Sequence, residues 1–238
     1  MQFYIWVTQA LYTHRALFLS FSFCFISTSS SRLRPPYHPQ DKTNPLQFYG
    51  RTKALGEEAI LESRRAGVAG KGCIVLRVPI LYGEVEYNAE TAVNILVDVI
   101  EDASKQTKMD HFAVRFPTNV EDVARVCYDL THLGKPLPPI VHYSSQKPYT
   151  KYEMTQIIAK AMGADISHVI PDTTDPSTLP PPADGKAPTP RPGNTQLSVK
   201  ETEELGINVK EGKSFEEWWT EWAKRHAAKK GGKDAVGV

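Results

Sequence analysis

At 238 residues the chain is long enough to bury a substantial core, as one large domain or two small ones. Lys and Arg number 28 against 27 Asp and Glu, and the net charge of +1 excludes a global electrostatic pull toward nucleic acid or an anionic membrane surface. Cys24, Cys73 and Cys127 lie far apart without a Cys-x-x-Cys, and the seven histidines lack ligand spacing, which argues against a disulfide scaffold or a zinc site.

Residues 1–34 read differently from the rest of the chain. Residues 16–26 are an apolar run, ALFLSFSFCFI, preceded by His14-Arg15 and followed by Ser and Thr. Three readings stand beside one another. The run resembles the h-region of a signal peptide, although it is short for a membrane span and no small-x-small cleavage site is clear after it. It also suits a buried strand over 23–27. The third reading is sequence translated from an ill-chosen start or a retained intron.

From Asn44 onward, helix and strand patterns alternate. Asn44 is placed to cap a helix predicted over 45–65, Pro45 suits its first turn, and Gln47 sits where the return partner of a capping box belongs. That register puts Tyr49 and Lys53 at i and i+4 on one face, so hydroxyl and ammonium reach the same small volume. A free tyrosine titrates near ~10, and a neighbouring cation favours the phenolate. A phenol tuned in this way protonates a carbonyl oxygen while a hydride arrives at its carbon. Tyr-x-x-x-Lys is equally a common accident, with the ring in the core and the lysine in water, so context decides. Lys53 and Glu57 form a further i,i+4 pair on this helix.

Gly67-Val68-Ala69-Gly70-Lys71-Gly72 looks like a phosphate loop but runs from helix into strand, the wrong sense for a dinucleotide fingerprint. Cys73 to Pro79 is a short apolar run suited to a strand buried on both faces of a parallel sheet, and Ile80-Leu81-Tyr82-Gly83 is where such a sheet presents a ligand loop. Helices are predicted over 89–105 and 120–133, the second stopped by Gly134. A strand is expected over 139–143, and Thr150-x-x-Glu153 makes a capping box for a helix closed by Gly163. Residues 171–192 hold eight prolines and read as a long surface loop. Ser198-x-x-Glu201 and Ser214-x-x-Glu217 open two more helices. The last presents Phe215, Trp218, Trp219 and Trp222 as a docking face, and a basic tail expected to be disordered begins at residue 227.

Tyr49-Gly50-Arg51-Thr52-Lys53, then Leu76-Arg77-Val78-Pro79-Ile80-Leu81-Tyr82-Gly83-Glu84, then Val120-Glu121-Asp122-Val123-Ala124 resemble, in order, an extended short-chain dehydrogenase/reductase of the dTDP-4-dehydrorhamnose reductase group. Met109-Asp110-His111, Arg115-Phe116-Pro117-Thr118, Thr150-Lys151-Tyr152-Glu153-Met154 and Arg191-Pro192-Gly193-Asn194-Thr195-Gln196-Leu197 are similar to the regulatory beta subunits of methionine adenosyltransferase within that group.

The resemblance implies an α/β fold, the C-terminal part of a doubly wound Rossmann-like parallel sheet with a small substrate-type domain built from 107–118 and 139–222. It implies domain limits of 1–34 for a segment foreign to the family, 35–226 for the RmlD-like body and 227–238 for the tail. Tyr49 would be the proton donor beside a nicotinamide, Lys53 would hold the nicotinamide ribose and lower the tyrosine pKa, and Leu81 would touch the cofactor, NADP or NAD. The third catalytic position falls at Thr28, where Phe25-Ile26-Ser27-Thr28 begins the family segment and Ser29-Ser30-Ser31-Arg32 departs from it. Family members carry a glycine fingerprint ahead of this point, whereas Gly50 is the first glycine here. The expectation is therefore a chain truncated at the N-terminus, with residues 1–34 a product of wrong translation rather than a signal, a cytoplasmic parent, and weak or absent cofactor binding. The implied function is a regulatory subunit that associates with the catalytic subunit of methionine adenosyltransferase, without nucleic acid or membrane. A keto-sugar reductase using NAD(P)H and a truncated product without activity are the alternatives. Trp218, Trp219, Trp222 and the basic tail depart from the family's ending.

Overall fold

The computed structural model describes residues 19–23, 35–45, 48–67, 73–178 and 193–234. In chain order these form β1 (Leu19–Phe23), α1 (Phe48–Arg65), β2 (Ile74–Val78), β3 (Leu81–Tyr82), α2 (Ile95–Glu101), β4 (Thr107–Asp110), β5 (Thr118–Asn119), α3 (Val120–His132), β6 (Ile140–His142), α4 (Lys151–Met162), β7 (Val169–Asp172), α5 (Lys200–Glu204) and α6 (Phe215–Asp234).

The apolar run at Ile74–Val78 does form a strand with every residue buried, and it is the middle of a parallel sheet ordered β1-β2-β6. Leu76 pairs with Phe21 on one side and with Val141 on the other. Parallel strands require crossovers, and covering helices leave no face for polar residues. Helix α3 supplies one such cover, with Val123, Val126 and Leu130 packed on Ile74, Leu76, Val78, Val141 and Tyr143. Asn119 caps α3, its side chain accepting from the Glu121 N–H.

A second core lies outside this sheet. Helices α2, α4 and α6 pack around Leu96, Val97, Met154, Ile158, Phe215, Trp218 and Trp219, with Tyr82 and Met109 joining them. The parallel pair β4 and β7 borders this core. The α4 capping box is present as expected: Thr150 N–H donates to Glu153 Oε2 at 2.7 Å and the Glu153 N–H returns to Thr150 Oγ1 at 3.2 Å. Gly163 closes the helix at φ +66°, the left-handed conformation that glycine adopts without strain.

Several sequence expectations are corrected. Helix α1 is described from Phe48, and Leu46 and Gln47, with the expected box partner, lie outside the described residues. Helix α2 is much shorter than 89–105. Thr91 Oγ1 accepts from the N–H groups of Val93 and Asn94, a local turn that competes with helix, and after Glu101 the Asp102 carboxylate bonds Ser104. Helix α5 begins at Lys200, after Ser198, whose hydroxyl instead donates to Glu201 Oε2 at 2.7 Å. Helix α6 continues to Asp234, past the expected start of a disordered tail. Of the strand expected over 23–27, Phe23 lies in β1, and residues 24–27 lie outside the described residues. The partition of the small domain is also different: β6 belongs to the main sheet, and α2 belongs to the aromatic core. Among the described residues, no helix is long and apolar enough to cross a membrane.

Candidate functional site

In the unit β1-α1-β2 the two strands are parallel, so the connecting helix runs back and its N-terminal turn lies at the carboxyl edge of the sheet. That edge also carries the end of β2 and the segment into Leu81. Tyr49 is 38% exposed, Gly50 is buried against the body, and Lys53 is half-buried. The Lys53 Nζ lies 5.4 Å from the centroid of the Tyr49 ring, within cation–π range. The sequence-predicted pair is therefore brought together.

Burial raises the Tyr49 phenol above its ordinary value, because desolvation disfavours the phenolate. In this state the phenol is a neutral hydrogen-bond donor. Leu81 sits half-buried in β3, paired in register with Thr118 of β5, directly after the C-terminal end of β2. Thr28 lies outside the described residues. Among the described residues, no group of three or more His, Cys, Asp or Glu could hold a metal ion.

Below this edge lies a cluster that sequence reasoning misses. Glu57, expected as a partner of Lys53, gives both carboxylate oxygens to Arg77 of β2. Arg77 Nε donates to each at 3.1 Å and Nη2 donates to Oε2 at 2.7 Å. The two side chains are 6% and 3% exposed, so the pair is fully desolvated. Arg77 Nη1 lies 3.5 Å from Nε2 of fully buried His142 on β6. Burial, aided by the Arg77 guanidinium, depresses the His142 pKa to about 3, so the ring is neutral and accepts from Arg77. The available signal is an arginine inside an otherwise apolar strand, since a buried charge demands a partner.

The loop after β2 is fixed by fully buried Asn94, whose Nδ2 donates to the Gly83 carbonyl at 2.9 Å. A Cβ on Gly83 would fall 2.2 Å from a methyl of Val120, so only glycine allows this approach. The finer sequence signatures serve as frame. Arg115 Nη2 donates to Asp110 at 2.8 Å, Arg115 and Tyr149 exchange backbone hydrogen bonds of 2.8 Å, and His111 Nδ1 lies 2.8 Å from Thr150 Oγ1. Burial would raise the Asp110 pKa, yet the N–H groups of Ala113 and Phe112 and the Arg115 guanidinium hold it below the usual range. The tryptophan face docks on this chain itself: Phe215, Trp218, Trp219 and Trp222 are all buried.

The parallel sheet, the Tyr–Lys helix at its carboxyl edge and the second helical core define an α/β protein of Rossmann-like fold, and comparison with known proteins agrees. Residues 16–223 match the RmlD substrate binding domain, and the chain belongs to that family. It is 41% identical over 194 residues to methionine adenosyltransferase 2 subunit beta of Xenopus tropicalis and 39% identical to that of Bos taurus, covering 80% of this chain and 52% of each relative. The chain thus spans about half the length of these relatives. A dTDP-4-keto-6-deoxy-D-glucose reductase of Streptomyces niveus is 30% identical over 167 residues, 68% of this chain and 51% of that protein. Among solved structures, a dTDP-4-dehydrorhamnose reductase from Clostridium acetobutylicum superposes with a TM-score of 0.66 at 20% identity, covering 89% of this chain and 66% of that one. The Bacillus anthracis enzyme in complex with NADP gives 0.65 at 18% identity, over 86% and 64%.

Proposed function

We propose that this chain is a regulatory partner of the catalytic subunit of methionine adenosyltransferase, and that it modulates S-adenosylmethionine synthesis by association rather than by catalysis. The observation that carries this reading is the 41% identity over 194 residues to a protein named as that enzyme's subunit beta, against 30% over 167 residues to a reductase. The geometry is compatible with it. Asp110, His111, Arg115 and Thr150, which bear the subunit-like signatures, build a rigid frame. The buried tryptophans of α6 leave the partner to be met by other surfaces. The site of action is proposed to be the cytoplasm.

A second reading, reduction of a nucleotide-linked keto-sugar with NADPH, is favoured by one feature: Tyr49 and Lys53 remain together on one face of α1. Tyr49, Lys53 and Leu81 suit only the nicotinamide end of such a cofactor. The residues described thus fit the group in part, and no chemical step is assigned to it. Weak or absent NADPH binding is the proposal, and calorimetric titration that gave submicromolar affinity would overturn it. For the main reading, sedimentation velocity of the 238-residue chain mixed with the catalytic subunit should give a faster-moving complex. Independent sedimentation, together with ketone-dependent NADPH oxidation by the chain, would reverse the order of the two readings.

A further inference from the structure

Helix α1 is seated differently from its neighbours. Its buried residues are Gly50 and Glu57, whereas α3 buries Val123, Val126 and Leu130 beside Asp122. Glu57 stands at i+8 from Tyr49 and i+4 from Lys53, on the same helical face. The Arg77 guanidinium holds it, and the same group also reaches His142 on β6 and donates to the Pro39 carbonyl at 3.4 Å in the segment ahead of α1. A two-pronged contact of this kind fixes rotation as well as distance, while apolar contacts tolerate sliding. Stability alone does not explain such a pair, because apolar side chains of similar volume commonly replace buried ion pairs without loss. What the pair supplies here is register.

We infer that Glu57 and Arg77 are positioning residues: they set the rotation of α1 about its axis and thereby present the Tyr49–Lys53 face at the carboxyl edge of the sheet. What that face meets, a nicotinamide-type ring and a carbonyl, rests on the second reading above; the placement itself does not. The pair acts through α1.

The test reads Tyr49 directly and without cofactor, by following its titration in the full chain with isotope-labelled tyrosine NMR, assigned by Tyr49→Phe. In the double variant Glu57→Leu/Arg77→Met the urea midpoint should be retained, while the Tyr49 titration falls toward the ordinary value near ~10 as the ring turns into water. A purely structural role would leave the Tyr49 titration of this folded variant where it is in the parent, and that result overturns the inference. Should the double variant not fold, Glu57→Gln, which keeps the shape and removes the charge, is read against the same two outcomes. Failure of the parent chain to bind NADPH would remove the second reading and leave the Tyr49 measurement standing.

Discussion

Helices α1 and α6 are the two longest among the described residues, and they are held by opposite means. α6 drives Phe215, Trp218, Trp219 and Trp222 into a core where Trp219 meets Trp218 edge-on at 5.0 Å and Tyr82 stacks at 6.3 Å. α1 instead leaves Phe48 81% and Leu55 56% exposed and is tied down by a desolvated carboxylate. Aromatic packing is strong but tolerant of direction, since most of its energy is area removed from water. A buried ion pair contributes little net stability and punishes any mispairing. The region built to last and the region built to aim are thus distinct, and the candidate site belongs to the second.

The largest expected effect tests the first of these. Trp219→Ala should cost about 4 kcal/mol in urea unfolding by emptying the centre of the aromatic core, whereas a loss below about 1 kcal/mol would mean that this core collapses freely. Arg77→Met should cost about 3 kcal/mol, because Glu57 is then buried without a partner, and adding Glu57→Leu should recover most of that. A double variant no more stable than the single one would break the contrast. The third effect is in pH. The folded pKa of His142, about 3, lies below its unfolded value near ~6.5, so the unfolded chain binds the extra proton. The stability tied to this group is complete above about pH 6.5 and falls as pH drops toward 3, by about 2 kcal/mol at pH 5. Urea midpoints for the parent and His142→Gln should converge in the acid limb if this holds. Smallest is Thr150→Ala, at about 1 kcal/mol for the lost cap of α4, read as a lowered melting temperature.

What can be read from the sequence divides along the same line. The β2 strand, the α3 stripe, the Thr150 box and the tryptophan face are local patterns, and local patterns survive into the fold. The Glu57–Arg77 pair spans twenty residues in sequence and is hidden by Lys53, a nearer cation at i+4. The helix expected over 89–105 is cut short because the Thr91 hydroxyl offers the backbone a turn that periodicity does not register. The Tyr49–Lys53 encounter is legible, since i,i+4 spacing ensures it; the burial that acts on the phenol is not, because burial is a tertiary property. The family is legible from motifs taken jointly.

Whether the chain works by association or through its phenol is decided by the rate of S-adenosylmethionine formation by the catalytic subunit, measured with saturating parent chain and with saturating Tyr49→Phe. Association predicts that both chains shift the KM or kcat of the catalytic subunit equally, because the Tyr49 hydroxyl has no part in it. If neither chain changes the rate, or if the parent alone does so, the regulatory reading built on the match over 194 residues is contradicted.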